Sequence, residues 1–182
     1  MNLLATRIVN DFQTIATCNI DQFEGAVVSV TQTHGGDIWN VVPASVVLRG
    51  ATRSFAPAVR DVLEPAIRRI SEGVCTARGA DMAMRYGRRY PPTINSPAET
   101  EIAAATAAAL VGGDDVRHDS PPSMGSEDFA WFLERKPGAY IWIGNGAGAD
   151  RAMLYNPHYD FNDEILTLGA SYWARLAEIV LE

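Results

Sequence analysis

Three short stretches of the chain concentrate side chains able to do chemistry. "LYNPHYDFNDE", Leu154 to Glu164, holds a His, two Tyr, two Asn, two Asp and a Glu in eleven residues. Such a cluster can ligate a metal, line a substrate pocket or cap a helix. A catalytic metal needs three or four placed His, Cys, Asp or Glu ligands with one position open for water. The chain has three His, namely His34, His118 and His158, and no HxH or HxxxH pair among them. Each reads as solvated or structural. "GSEDF", Gly125 to Phe129, is a glycine-flanked helix start with two carboxylates. Plain capping is the slightly favoured reading, and an active-site loop whose backbone N–H groups face a substrate anion is the rival. "GNGAGA" gives Gly144, Gly146 and Ala149 a G-x-G-x-x-A spacing. A dinucleotide site requires a helix to open there, but Asn156-Pro157 follows and no helical pattern begins, so a loop is expected. No serine sits in a G-x-S-x-G elbow, and neither cysteine has a base near it in sequence. Asn40 and Arg53 are polar residues in an otherwise apolar hairpin. An Arg fork suits a carboxylate, although composition alone favours a surface role for both.

The elements that must position these residues are legible from periodicity. Leu4, Ile8, Phe12 and Ile15 form one apolar face of an opening helix. "AVVSVTQTH" (26–34) and "SVVLRGATR" (45–53) read as two strands of a long antiparallel hairpin. Residues 57–77 form the clearest helix, with Ser54 as a possible cap, Pro57 in the first turn and Pro65 predicting a kink at Glu64–Pro65. "DMAMRYGRRY" (81–90) reads as a third strand, and "PPTINSP" as the best domain boundary. The order helix–strand–strand–helix–strand is a ferredoxin-like order lacking its first strand. Beyond the boundary, Ser96, Pro97 and Glu99 make a capping-box start to an Ala-rich helix ending at Gly112. "SEDFAWFLER" predicts a short helix capped by Ser126, and "AYIWIG" (139–144) a buried strand. A final helix carries Ile165, Leu168, Tyr172, Trp173, Leu176, Ile179 and Val180 on one face, with Asn162, Asp163 and Glu164 at its start.

The bulk numbers bound the function classes. A hydrophobic content of 47% and a charged content of 20% over 182 residues belong to a folded globular chain. A net charge of −7 disfavours nucleic acid and anionic membranes as partners. No apolar run approaches the ~20 residues needed to span a bilayer. The opening residues lack the apolar core and cleavage site of a signal peptide. The expectation is a cytoplasmic protein in which Cys18 and Cys75 are reduced, buried thiols.

Four strings then occur in a recognisable order: "VVSVTQTHGGDIWNVVPASVVLRGATRSF", "RRYPPTINSP", "PPSMGSEDFAWFLERKPGAYIWIGNG" and "LYNPHYDFNDEIL" followed by "GASYWARL". The chain resembles hippurate hydrolases and the related indole-acetyl-amino-acid hydrolases, which are N-acyl-amino-acid amidohydrolases of the co-catalytic-metal aminoacylase/carboxypeptidase type. The resemblance covers nearly the whole chain. It implies an α/β architecture: an incomplete ferredoxin-like lid or dimerisation domain over 1–94, lacking its first strand, then the C-terminal portion of a metallopeptidase-type catalytic domain over 95–182. Family members carry Asp-Gly-His and Cys-Gly-His ligand motifs and a general-base Glu in an N-terminal half, and neither motif occurs here.

By resemblance, Asn40 matches the Asn of a substrate-binding Asn-Val-Ile-Pro motif, and Arg53 a lid arginine. Gly125, Ser126, Glu127, Asp128 and Phe129 match a loop lining the active site. Tyr155 stands where the family has a metal-ligating His, and a phenol with a reference pKa near ~10 is a poor replacement for imidazole. His158 is a weak alternative ligand. The family's cofactor is a divalent metal (Mn, Zn or Co), which this chain is not expected to hold tightly. The expected partners are a small N-acyl amino acid in the intact family, and either a second copy through the lid or a missing N-terminal half. The resulting expectation is a fragment that does not hydrolyse N-acyl amino acids alone. The alternatives are a non-catalytic dimerisation module and one half of a split enzyme.

Overall fold

The structure, a computed structural model, describes residues 1–21, 23–146 and 152–181. Its elements run α1 (Asn2–Cys18), β1 (Ala26–His34), β2 (Val47–Ser54), α2 (Pro57–Thr76), α3 (Pro97–Val111), a single 3-10 turn at Gly113–Asp115, α4 (Ala130–Leu133) and α5 (Ile165–Leu181). They group into two compact units. One is Met1–Pro92 together with Met124–Ser126; the other is Thr93–Ser123 together with the residues from Glu127 onward.

In the first unit, β1 and β2 pair antiparallel as a two-stranded sheet. The pairing slips by one residue between Val30 and Gln32, a bulge at Thr31. Gly50 lies opposite this bulge, and a Cβ there would sit 2.0 Å from the Ser29 carbonyl oxygen. Only glycine admits that approach. Helices α1 and α2 supply the core: Ile8, Phe12 and Ile15 meet Val59, Leu63, Ala66 and Cys75, with Val28, Val30 and Leu48 of the hairpin packed against them. Ile15 and Leu63 are fully enclosed, each contributing on the order of 1.5–3 kcal/mol by burial.

Helix α2 runs through Pro65 without interruption. Pro65 lies on the exposed face, so water can satisfy the carbonyl one turn back that its missing N–H leaves open. The N-cap of α2 is Ala56, not Ser54. Cys75 is buried as expected, but Cys18 is exposed at the end of α1, where the helix stops covering the sheet.

Two expected strands do not form. Residues 81–87 alternate between exposed and half-buried and 88–90 are exposed, and 81–90 join no ladder among the described residues. Residues 139–144 likewise lack a ladder. Both have the side-chain pattern of strands, and strand assignment needs a backbone partner.

In the second unit, α3 and α5 pack together. Ala103 and Thr106 are buried on α3, and Tyr172 on α5. The Tyr172 hydroxyl donates to the Ala103 carbonyl at 3.5 Å, and the Thr106 hydroxyl satisfies itself on Ile102 one turn back. Small alanine side chains let the helices approach closely. Ser96 does occupy the N-cap of α3, but its hydroxyl accepts the Gly138 N–H at 3.2 Å instead of closing a capping box. The predicted helix at "SEDFAWFLER" contracts to the four residues of α4 with Phe129 as N-cap, so Ser126 caps nothing.

Candidate functional site

The candidate residues fall into two groups, one in each unit. In the first unit, the connection between β1 and β2 carries Asn40 in a turn closed by the Val41 N–H on the Ile38 carbonyl. Asn40 is exposed, and so are its apolar neighbours Ile38, Trp39, Val41 and Val42, with Trp39 96% accessible. Arg53 lies at the other end of the hairpin, opposite Val27. At the rise of an antiparallel strand, Asn40 and Arg53 are roughly 20 Å or more apart. One small ligand cannot touch both within a single chain.

Arg53 is already engaged. Its Nη1 donates to the Met124 carbonyl and, at 3.3 Å, to Ser126 Oγ. Gly25 makes room for this segment, since a Cβ there would meet Met124 Cε at 2.8 Å and the Phe55 ring at 3.1 Å. The arginine thus fixes residues 124–126, directly before Glu127, and a guanidinium fork suits this bridging of a carbonyl and a hydroxyl. Composition favoured a plain surface role for Arg53. The missed signal lies 71 residues away in sequence, beyond any local pattern.

In the second unit, the half-buried Glu127 lies beside the phenol of Tyr140. Burial pushes the Tyr140 phenol above the ordinary tyrosine range. Glu127, as a charge and as hydrogen-bond acceptor, adds to this, and Asp128 and Tyr155 contribute further. Glu127, Asp128, Tyr140 and Tyr155 therefore form one electrostatic neighbourhood. Its chemistry is a carboxylate beside a phenol, an acceptor and a donor that can orient a polar substrate.

The backbone of Tyr140 is held by Asn95, whose amide accepts the Tyr140 N–H at 2.8 Å and donates to its carbonyl at 2.9 Å. A side-chain amide here does the work of a strand partner. The Phe129 ring packs on Tyr140 at 5.7 Å and Trp142 meets it edge-on at 6.2 Å. Tyr140 and Asn95 were not singled out from the sequence. Their 45-residue separation hides the pairing, although an aromatic inside an apolar run after a proline–glycine turn marks a supported position.

The dense stretch 154–164 spends its polar groups on its own backbone. Asn156 Oδ1 accepts the His158 N–H at 2.9 Å, and Asn162 Oδ1 accepts the Glu164 N–H at 3.2 Å before α5. Asn145 accepts the Asn162 N–H and donates to the Asp160 carbonyl. His158 is exposed. Tyr155 is fully exposed and holds a positive φ of 67°, a left-handed conformation uncommon for an aromatic residue. Among the described residues, no three His, Cys, Asp or Glu side chains are grouped to hold a metal ion. The Gly144 and Gly146 positions of "GNGAGA" lie in loop, while Ala149 lies outside the described residues. No helix is long and apolar enough to cross a membrane among the described residues.

Comparison with known proteins agrees with the backbone. The N-acetylcysteine deacetylase of Bacillus subtilis is 32% identical over 98% of this chain and 45% of its own length. The hippurate hydrolase of Campylobacter jejuni is 30% identical over 95% of this chain and 44% of its own. A solved structure from Bacillus subtilis, described as a dinuclear metal binding peptidase of the M20 family, superposes with a TM-score of 0.73 at 28% identity, over 98% of this chain and 45% of that one. The chain thus spans a little under half the length of these relatives. Residues 12–179 match the family described as Peptidase family M20/M25/M40, and the chain belongs to that family.

Proposed function

We propose that these 182 residues are the substrate-side part of an M20 hydrolase that cleaves the amide bond of N-acyl amino acids, with Arg53, Gly125, Ser126 and Glu127 on the substrate side of one copy and Asn40, too distant to reach the same ligand, facing the substrate of a second copy. The observation that carries this reading is the pinned loop. Within the first unit Arg53 holds residues 124–126, and within the second the Glu127 carboxylate lies beside the Tyr140 phenol. Held polar groups of this kind orient a substrate without reorganising as it binds. In this reading the first unit is a ferredoxin-like lid without its first strand, and the second belongs to the C-terminal portion of a catalytic domain. The names of the relatives support amide hydrolysis.

The donor set does not fit a dinuclear metal centre. Tyr155 is a phenol, His158 belongs to no group of three His, Cys, Asp or Glu side chains among the described residues, and His34 ends a strand in the other unit. The described residues of this chain therefore supply no metal-activated step of their own. The family's metal, Mn, Zn or Co, would find its donors elsewhere in a complete enzyme. The test is to incubate the purified chain with hippurate and N-acetylcysteine in the presence of Mn, Co or Zn ions. No turnover is expected. Turnover that an Asn40→Ala substitution abolishes would overturn the proposal.

A second reading is favoured by the exposed apolar turn around Trp39: a non-catalytic dimerisation module in which two copies meet through the lid. Light scattering after size exclusion separates the two, because a stable dimer formed without metal supports the module.

A further inference from the structure

Asn95 and Ser96, at the start of α3, hold the segment that carries Tyr140. The Ser96 N–H donates to the Gly138 carbonyl at 2.9 Å, and the Ser96 hydroxyl accepts the Gly138 N–H at 3.2 Å. Two residues on, the Asn95 amide takes both backbone groups of Tyr140, accepting its N–H at 2.8 Å and donating to its carbonyl at 2.9 Å. A side-chain amide can accept and donate at once, whereas a carboxylate only accepts. Residues 139–144 join no ladder among the described residues, so this clamp stands where sheet neighbours would otherwise fix the backbone. The clamped residue is also the one whose side chain meets the candidate site. Phe129 packs on the Tyr140 ring at 5.7 Å, and Glu127 faces the phenol as a charge and as a hydrogen-bond acceptor. All of these residues lie in the second unit.

We propose that Asn95 is a positioning residue of the substrate side: by fixing the backbone of Tyr140 it sets the phenol as a donor to Glu127, and so holds that carboxylate where it accepts an N–H of the substrate. This rests on the substrate-side reading of Glu127 and deepens it, by naming what holds the carboxylate and which group it takes, the amide N–H of an N-acyl amino acid. A carboxylate accepts at two oxygens, so the bond from the phenol leaves capacity for a second donor. The phenol suits the first place. Burial keeps it protonated across the neutral range, and Glu127, Asp128 and Tyr155 add to this, so it faces Glu127 as a neutral donor. Hydrogen bonds to an ionised acceptor are the short, strong kind, and an acceptor held in advance needs no reorganisation as substrate binds.

The test follows single tyrosines of the chain through an alkaline titration at low salt, with 13C at Cζ. Each of the six resonances is assigned by its own Tyr→Phe variant. Tyr172, whose phenol is raised by burial in the same unit, is the internal control: general loosening moves both midpoints, and lost positioning moves Tyr140 alone. Asn95→Ala should bring the Tyr140 midpoint down toward the ordinary value near ~10 and leave Tyr172 in place, and the milder Asn95→Ser should act in the same direction. Ser96→Ala removes a bond to Gly138 and none to Tyr140, and should move neither. In a Glu127→Gln background the Asn95→Ala shift should shrink to less than about half, because both substitutions remove one interaction. An unmoved Tyr140, equal movement of Tyr140 and Tyr172, an equal shift in Ser96→Ala, or an undiminished shift beside Glu127→Gln overturns the proposal. Failure of both Asn95 variants to fold also overturns it, since Asn95 is then a residue of the fold. At neutral pH, hippurate should shift the Tyr140 resonance and its ester analogue, with oxygen in place of the amide N–H, should not; equal shifts, or none, overturn the assignment of the N–H. The tyrosine midpoints need no ligand and no turnover, so the substrate-side reading can fail while the clamp stands.

Discussion

Arg53 shows how a side chain can look like a ligand-binding group and act as a brace. Its guanidinium bonds the Met124 carbonyl and the Ser126 hydroxyl, and hydrogen bonds from a charged donor are worth roughly 1.5–3 kcal/mol. Replacing Arg53 with Ala should release residues 124–126 while leaving α1 and α2 intact. Faster amide exchange and faster proteolysis at 124–126, with an unchanged helical signal, are the expected result. Lysine should restore little, because one ammonium cannot reproduce the fork. Tyr140 supplies a pH-dependent counterpart. Burial and Glu127 raise its phenol above the usual range, and burial raises Tyr172 likewise. An acid whose folded pKa is raised contributes stability that is full below the unfolded value near ~10 and is lost as pH rises through the folded value. Denaturation midpoints should therefore fall above about pH 10, and Tyr140→Phe combined with Tyr172→Phe should flatten that fall. A profile as steep in the double variant as in the parent would contradict the assignment.

At the level of elements, the helices and the hairpin were legible because their information is local. The apolar spacing of Ile8, Phe12 and Ile15, and that of Val59, Leu63 and Ala66, encodes which face is buried, and those residues form the core. The runs at 81–90 and 139–144 carried an equally clear strand pattern and form no ladder among the described residues, because pairing depends on a partner that a local pattern does not contain. The site was less legible for the same reason: Arg53 and Met124, or Asn95 and Tyr140, meet across 71 and 45 residues. Two substitutions test the elements. Gly50→Ala puts a Cβ against the Ser29 carbonyl; the hairpin must shift, at about 3 kcal/mol, the upper end for overpacking. Pro65→Ala acts the other way. It restores a helix bond at an exposed position of α2, a gain of ~3 kcal/mol in propensity less ~1 kcal/mol for the freer unfolded chain. Chemical denaturation of the two variants should move the midpoint in opposite directions.

For the molecule as a whole, the decisive quantity is the apolar surface left uncovered. On α5, Leu166, Trp173 and Val180 recur every seven residues, and each is more than half exposed, so a single stripe along the helix faces outward. Trp39 and Val42 in the hairpin turn, and Trp142 after Tyr140, are also exposed. Soluble monomers seldom carry apolar patches beyond a few hundred Å², and among the described residues β1 and β2 each pair on one edge only. Each isolated tryptophan would be unremarkable; a heptad stripe together with open edges is not. The net charge of −7 opposes association at low salt, and salt screens that repulsion while leaving the apolar contact in place. The chain alone should therefore self-associate, more strongly as ionic strength rises. Light scattering across a salt series should show the mean mass increasing, and Trp173→Glu, at the centre of the stripe, should reduce it at every salt. Trp173 meets the ring of the buried Tyr172 edge-on at 5.5 Å, so that substitution should also lower the melting of the second unit, and Val180→Glu, elsewhere on the stripe, should reduce the mass without removing that contact. A monodisperse monomer at high salt would show that these faces are inert in solution.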